Sequence, residues 1–314
     1  MDKAKEAVSR NDAELTQHMI NLMSQNINPF RRDWTTFSGK GPHRNLETGA
    51  AYRGSNPCLL EMWTALRCYS YPLWLGASQA KKHNWIPRKG SKGCTIMMPV
   101  RITYDKRDQE GNVLKDDKGQ PIKAGYMGFR YVKVFNVADI TGVDEAAEEE
   151  LQAKIKDSIG QTTPLDDFKK IETANTVLYA WKVPTRWTGE RAFYSVTDDA
   201  ITMPSKDLFK TVEGMYATWA HEQVHSTGHK SRLNRDMSSE RLKYAREELV
   251  AELGAFLICN RLQICSDEEN HAAYLKSWIE VLKEGPEVLR HALSDASQAA
   301  TMICPYEDQE VMDM

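Results

Sequence analysis

Apolar residues recur at two spacings along this chain, and each spacing predicts one kind of element. Spacings of three and four residues are typical of helices with one buried face. Alternation of apolar and polar residues is typical of strands with one buried face. The pattern predicts helices over residues 10–27, 59–66, 78–82, 166–181, 212–227, 241–262 and 286–303, a further helix capped by Ser266 and Glu269, and strands over 95–104, 128–137, 192–196 and 200–203.

These elements fall into two predicted domains of overall α+β class. Residues 1–140 form a mixed α+β domain with a long charged hairpin arm at 105–125. Residues 141–165 are rich in Asp and Glu and are predicted to be an acidic linker. Residues 166–314 form a mainly helical domain with one short β-hairpin. A chain of 314 residues with 41% hydrophobic content is long enough for two domains, each with its own core.

The stretch His221-Glu222-Gln223-Val224-His225 is the most informative motif of the chain. Two histidines four residues apart on a helix project from one face, so each can offer a ring nitrogen to one Zn²⁺ ion. The intervening Glu222 can hold and deprotonate a water bound to the metal. The alternative interpretation is that the two histidines lie on an ordinary helix and bind no metal. The acid-rich helix that follows argues against this alternative, because it offers a candidate third ligand.

A third metal ligand is predicted on the helix over residues 241–262. Glu248 and Glu252 are four residues apart and share a face. Glu248 is assigned to the metal, because two His and one Glu leave the fourth position of a catalytic zinc site open. Glu252 is assigned to orient a ligating His. The alternatives for these roles are the neighbouring acid Glu247, and His229 if the chain folds back after the motif helix.

The first half of the chain has features typical of proteins that bind single-stranded nucleic acid. Residues 1–140 hold 22 Lys and Arg against 13 Asp and Glu, a net charge of +9, whereas the whole chain carries −3. A basic half indicates a polyanionic partner. Aromatic rings among cations are typical of single-strand binding, whereas no recognition helix for duplex DNA is evident. The candidate residues are Tyr52, Arg53, Asn56, Trp74, Gln79, Lys81, Lys82, Trp85, Arg88, Lys89 and Lys92. Trp74 and Trp85 are more typical of a buried core than of a stacking platform.

The composition argues against a disulfide-rich, secreted or membrane-spanning protein. The six cysteines form no C-x-x-C pair and are typical of reduced thiols. The first fifteen residues are polar, and no run of eighteen apolar residues occurs, so neither a secretory signal nor a membrane span is predicted. We therefore expect a cytoplasmic protein without a membrane partner.

With these residues in view, the chain resembles the ArdC-type antirestriction proteins of conjugative plasmids and phages. The resemblance covers nearly the whole chain and is carried by residues 52–56, the turn at 89–93, the run from His221 to His229 with Arg232-Leu233, the glutamates from 247 to 252, and residues 271–278. It implies a single-strand DNA-binding domain followed by a zincin-like metallopeptidase domain. It also implies zinc on the two motif histidines and on Glu248, and protection of entering DNA from host restriction.

The residues suggest a hydrolytic mechanism with two alternatives. One Zn²⁺ per chain would polarise a peptide carbonyl, and Glu222 would move the proton. The substrate peptide is predicted to lie along an edge strand formed by Ala200, Ile201, Thr202 and Met203. Tyr194 and Tyr244 are candidate donors to the oxyanion. The alternatives are a non-catalytic protein that masks DNA and binds a restriction-enzyme subunit through its zinc domain, and a zinc hydrolase of a non-peptide substrate.

Overall fold

The amino-terminal half combines a four-stranded sheet with four helices. The computed structural model describes residues 2–25, 42–108, 110–160, 167–264 and 272–305. The helices are α1 (Asp2–Ser24), α2 (Asn56–Arg67), α3 (Ala77–Lys82) and α4 (Glu145–Gly160). The strands are β1 (Arg44–Asn45), β2 (Leu73–Gly76), β3 (Trp85–Pro87), β4 (Cys94–Asp105), β5 (Lys123–Asn136) and β6 (Ile140–Gly142).

The main sheet has the order β1-β2-β5-β4. β1 pairs with β2 in parallel, and the other neighbours are antiparallel. β3 and β6 form a separate antiparallel pair. β4 and β5 stay paired from Cys94↔Val134 to Asp105↔Lys123, and beyond them the bridges Arg107↔Val113 and Lys115↔Pro121 close two local turns at the tip. The predicted hairpin arm is therefore confirmed.

The prediction that residues 141–165 form an acidic linker between two domains is wrong. Most of it is α4, whose buried Ala147, Leu151 and Ile155 pack in one cluster with Trp85 and Ile140. These three apolar residues repeat every four positions and so lie on one face, while the many acids occupy the rest of the helix. The segment belongs to the amino-terminal half.

The carboxy-terminal half is mainly helical. Its elements are α5 (Asp167–Tyr179), β7 (Thr185–Trp187), β8 (Phe193–Ser195), β9 (Ala200–Met203), α6 (Val212–Thr227), α7 (Arg241–Leu262), α8 (Ala272–Lys283) and α9 (Pro286–Ile303). The predicted bounds of α6 and α7 are confirmed. The predicted capping pair Ser266 and Glu269 lies outside the described residues.

The small sheet of this half corrects the predicted substrate strand. Its order is β7-β9-β8, so β9 has a hydrogen-bonded neighbour on each side. The prediction that residues 200–203 form a free edge was wrong, because the short strand β7 was not foreseen. The edges of the sheet are β7 and β8.

The larger of two hydrophobic clusters is shared by both halves of the chain. Leu15, Met19 and Met23 of α1 belong to the same buried cluster as the helices of the second half. On the polar side of this junction the guanidinium of Arg290 in α9 donates to Asp12 of α1, with an Nε–Oδ2 distance of 2.9 Å. The smaller cluster around Trp85 forms the second core. No helix in the described part of the chain is both long enough and apolar enough to cross a membrane.

α6 and α7 pack closely at Gly254. A Cβ atom on Gly254 would lie 2.8 Å from both Cγ atoms of Val224, closer than van der Waals contact permits. We predict that Gly254→Ala lowers the free energy of unfolding by about 1–3 kcal/mol, because Val224 is buried and β-branched and has little room to move. Chemical denaturation of the purified variant measures this.

The double variant Gly254→Ala, Val224→Ala is the matched control. It removes the two Cγ atoms that the new methyl group meets, so its loss should be smaller than the sum of the two single losses. Additive losses would show that the two side chains do not meet.

Candidate metal centre

α6 brings two imidazoles together on one buried face. The helix begins after Thr211, whose hydroxyl accepts a hydrogen bond from the Gly214 N–H at 3.1 Å. His221 and His225 follow four residues apart, and their Nε2 atoms lie 3.1 Å from each other. Two nitrogens that are each about 2.0–2.1 Å from a tetrahedral Zn²⁺ ion are roughly 3.3 Å apart. The spacing of the imidazoles therefore fits one metal ion.

α7 supplies a carboxylate to the same point. Glu248 Oε2 lies 3.6 Å from His221 Nε2, and its Oε1 lies 3.5 Å from His225 Nε2. The ligand atoms of these three residues all lie within 4.8 Å of one another. Two imidazoles and one carboxylate are a donor set that zinc accepts while it keeps one position open. Of the candidate ligands, the structure brings His221, His225 and Glu248 together.

The far nitrogen of each imidazole faces another acid of α7. His221 Nδ1 lies 3.4 Å from Glu252 Oε2, and His225 Nδ1 lies 3.2 Å from Glu247 Oε1. The guanidinium of Arg235 donates to both oxygens of Glu247, at 2.7 and 2.8 Å. A carboxylate behind each imidazole fixes the ring so that its Nε2 points towards the metal position. Glu247 and Glu252 thus occupy equivalent places behind the two histidines.

The acids change the protonation of the metal-free centre. Burial alone would lower the pKa of His221, but the Glu248 and Glu252 carboxylates outweigh it and raise that pKa to about 9. Burial is likewise outweighed by Glu247 and Glu248 at His225, where the pKa rises to about 10. Burial would raise the pKa of Glu248, yet the two imidazoles hold it well below its usual range. The centre concentrates negative charge and suits a cation.

The ligand group lies in the wall of a cavity of about 580 Å³. Glu222, which is 7% exposed, lines the same cavity beside the two histidines. The cavity therefore gives a substrate access to both the metal position and a carboxylate. Further lining residues that the sequence did not indicate are Arg191, Ala192, Phe193, Val196, Thr218, Met237, Ser239 and Trp278.

His229 does not join the centre. Gly228, at the end of α6, keeps a right-handed helical conformation with φ −71°, and the ligand group of the described residues consists of His221, His225 and Glu248 without His229. His229 Nδ1 instead lies 2.8 Å from the hydroxyl of Ser231. The structure therefore disagrees with His229 as the alternative third ligand.

Tyr194 also differs from its predicted role. Its hydroxyl donates to Asp199 Oδ1 at 2.7 Å and accepts from Arg232 at 3.2 Å. Arg232 also donates to the Ser226 carbonyl of α6 at 2.6 Å. These contacts fix the β8–β9 hairpin against the end of the motif helix and occupy the hydroxyl. Tyr194 is thus a poor oxyanion donor, whereas Tyr244 lines the cavity.

The structure separates the predicted DNA-binding residues into buried and exposed groups. Trp74 and Trp85 are fully buried, and their indole N–H groups donate to His43 and to the Ala147 carbonyl. Their assignment to base stacking is wrong and the alternative that they belong to a core is confirmed, because each ring is buried with its indole N–H already bonded.

Three other predicted DNA-binding residues serve the fold. Asn56 is buried and exchanges two hydrogen bonds with the backbone of Met97. Gln79 accepts from the Gly76 N–H at the start of α3. Burial raises the pKa of the Tyr52 hydroxyl to about 12, although Asn45 donates to it. The exposed candidates are the cations Arg53, Lys81, Lys82, Arg88, Lys89 and Lys92.

Comparisons with known proteins agree with this arrangement of fold and site. Residues 172–295 match the family described as "Zincin-like metallopeptidase", which gives the class of the second half. Residues 9–135 match "N-terminal domain of anti-restriction factor ArdC". The chain therefore belongs to the ArdC-type antirestriction family, with a zincin-like domain following the ArdC amino-terminal domain.

Solved structures support the same assignment along the whole chain. The metal-free crystal structure of the antirestriction ArdC protein from plasmid R388 is 28% identical, with a TM-score of 0.63, and the match covers 92% of this chain and 95% of that one. The Mn(II)-bound structure of the same protein has a TM-score of 0.62 at 28% identity and covers 93% and 96% of the two chains.

A relative of known sequence is much longer. The DNA primase TraC of Escherichia coli is 33% identical over 310 residues, which are 95% of this chain. The chain spans only 20% of the length of that primase. The similarity therefore concerns one segment of TraC.

The pKa values lead to a prediction about proton release. Since the pKa values of both histidines are raised above 7, the imidazolium form is favoured in the metal-free centre at pH 7, whereas a metal ligand must be the neutral imidazole. Binding of Zn²⁺ at pH 7 should therefore release about two protons, and affinity should rise as the pH increases towards 9. Calorimetric titration in two buffers of different ionisation enthalpy measures the number released.

One variant of a proposed metal ligand and one control variant complete this experiment. His221→Ala should abolish stoichiometric metal binding, whereas His229→Ala should leave both affinity and proton release unchanged. Heat signals that do not depend on the buffer would contradict the protonation of the centre, and one equivalent of zinc retained by His221→Ala would contradict the ligand assignment.

Proposed function

We propose that this protein protects incoming DNA from restriction by binding single-stranded DNA and by acting as a Zn²⁺-dependent protease. One observation supports the catalytic part of this proposal. The possible metal ligands His221, His225 and Glu248 lie in the wall of a cavity that Glu222 also lines. A closed structural zinc site would have a fourth protein ligand and no cavity.

His221, His225 and Glu248 would hold the ion, and Glu247 and Glu252 would orient the two imidazoles. Bound zinc supplies a Lewis acid that polarises a carbonyl and lowers the pKa of water. Glu222 lies next to this position and would accept a proton from the attacking water and return it to the leaving amine. Tyr244 is the proposed donor to the oxyanion, since it precedes Glu248 by one helical turn and lines the cavity.

The peptide substrate would lie along β8. This strand is at an edge of the sheet, and its residues Phe193 and Tyr194, with Val196 beyond it, line the cavity. An extended peptide can pair with an exposed strand edge through its backbone. In this arrangement the peptide pairs with β8 instead of β9. Its scissile bond then lies near the metal position.

The DNA-binding part is supported by charge and by family membership. The first 140 residues carry a net charge of +9, and exposed cations include Arg88, Lys89 and Lys92 in the turn before β4. Attraction of such a surface to phosphates is strong at low salt and weakens as salt is added.

The proposed protein partner is a DNA-bound protein or a restriction-enzyme subunit, and the proposed location is the cytoplasm.

Glu222→Gln tests catalysis separately from metal binding. The amide cannot accept the proton, so cleavage of a denatured protein such as casein, measured with a single-stranded oligonucleotide present, should fall by about 100-fold or more. Zinc content should remain at one ion per chain, because Glu222 is not a proposed ligand. Glu172→Gln, at an exposed position of α5, is the control and should cleave like the unmodified protein.

Protection of DNA from a restriction enzyme gives the second measurement. Protection that survives intact in Glu222→Gln would contradict proteolysis as the mechanism and favour a protein that masks DNA. A protein that neither cleaves peptides nor binds oligonucleotides would favour a hydrolase of a non-peptide substrate.

A further inference from the structure

The outer half of the β4–β5 ribbon exposes large side chains that the fold does not use. The hydrogen bonds that join β4 to α1 and α2 involve Thr95 and Met97, near the start of the strand. Farther out, Tyr104 is 52% exposed and Tyr126 is 58% exposed. An exposed aromatic pair on a protruding ribbon contributes little to a core, so its role lies elsewhere.

The two rings lie on the same face of the ribbon. Tyr126 pairs with Ile102, and Tyr104 pairs with Ala124, so the tyrosines are diagonal neighbours. Their ring centroids are 6.3 Å apart and their planes are tilted by 54°. The rings stand beside each other rather than stacked face to face, which leaves their faces accessible to another flat group.

Cations flank this aromatic pair on the same face. Paired residues point to one side of a ribbon and alternate along it. Arg130, opposite Met98, lies on the inner side of the pair, and the Lys106 N–H bond to the Ile122 carbonyl places Lys106 on the outer side. Both cations are exposed. The face comprises Met98, Val100, Ile102, Tyr104, Lys106, Ile122, Ala124, Tyr126, Gly128 and Arg130, and none of these described residues is acidic.

Two acids of the arm lie at its loops, whereas Asp105 lies on the other face of the ribbon, where its Oδ1 is 3.8 Å from Lys123 Nζ. Asp108 accepts from the N–H groups of Glu110 and Asn112, both at 2.9 Å. Asp116 accepts from the N–H groups of Lys118 and Gln120, at 2.9 and 2.8 Å. These two carboxylates bind the backbone of the distal turns and do not belong to the ribbon face.

We propose that this face, the tyrosine ladder of the arm, is a stacking platform for unpaired bases of single-stranded DNA. Residues on one side of a strand are about 6.8 Å apart, a spacing on the scale of successive nucleotides in an extended strand. Bases would stack on Tyr104 and Tyr126, while Lys106 and Arg130 would contact the flanking phosphates. The proposal rests on the DNA binding proposed above and replaces the buried Trp74 and Trp85 as the source of stacking.

The test is a fluorescence anisotropy titration of the full chain with a labelled oligo(dT), at fixed moderate salt. Removal of both rings by Tyr104→Ala, Tyr126→Ala should weaken binding by roughly 25-fold or more, since each stacked base contributes at least about fivefold. The conservative pair Tyr104→Phe, Tyr126→Phe keeps the ring faces and should bind like the unmodified protein. Phe168→Ala, which removes another exposed aromatic ring in the second half, is the matched control.

The outcomes separate the two proposals. No binding of oligo(dT) by the unmodified protein would overturn the DNA-binding function itself and the ladder with it. Normal binding by the double Ala variant, combined with loss in Lys89→Ala, Lys92→Ala, would overturn the ladder alone and assign binding to the basic turn. A Phe pair as weak as the Ala pair, or duplex bound as tightly as the single strand, would also overturn stacking.

Folding of the variants is checked by circular dichroism and thermal unfolding. Since both tyrosines are more than half exposed, the double Ala variant should unfold within a few degrees of the unmodified protein.

Ultraviolet cross-linking of a bromouracil-substituted strand gives an independent measurement. Attachment to peptides containing residue 104 or 126 supports the ladder, and attachment confined to residues 88–92 contradicts it.

Discussion

The structure depends on two imidazole nitrogens held 3.1 Å apart inside a group of buried carboxylates. Arg235 compensates Glu247, but without a metal ion Glu248 and Glu252 face the imidazoles, and protons on the two neighbouring rings repel each other. A divalent metal ion removes that repulsion and compensates the acids at the same time. The centre is therefore a place where folding, protonation and metal binding are coupled.

The close approach of α6 and α7 makes this geometry possible. Gly254 lets the second helix approach Val224, one turn from the acids that face the histidines. Arg235 then ties the loop between the helices to Glu247, and Arg232 ties that loop to the β8–β9 hairpin through Asp199. A few buried hydrogen bonds thus connect the metal position to the strand beside the cavity. Such connected polar contacts restrict the orientation of each ligand.

The sequence predicted the site helices well and the surroundings less well. α6 and α7 have the predicted bounds although both helices are buried on most sides, and the i, i+4 spacing of the histidines and of Glu248 with Glu252 places each pair on one face. Strand β7 was missed, since a three-residue strand is defined by its parallel partner β9 rather than by local pattern. For Trp74 and Trp85, composition could not distinguish a buried ring from an exposed one. The apolar face of α4 was present in the sequence, but the surrounding acids obscured it.

The contact between α1 and the last two helices has a consequence for how the protein can be divided or transferred. Met19 and Met23 belong to the same buried cluster as the zincin-like half, and Asp12 accepts hydrogen bonds from the guanidinium of Arg290. A fragment starting after residue 140 would expose that surface to water and leave a partly buried cation without its carboxylate. The two regions thus share a core although they match two different families. The match to TraC extends over 310 residues of the present chain and so includes both regions.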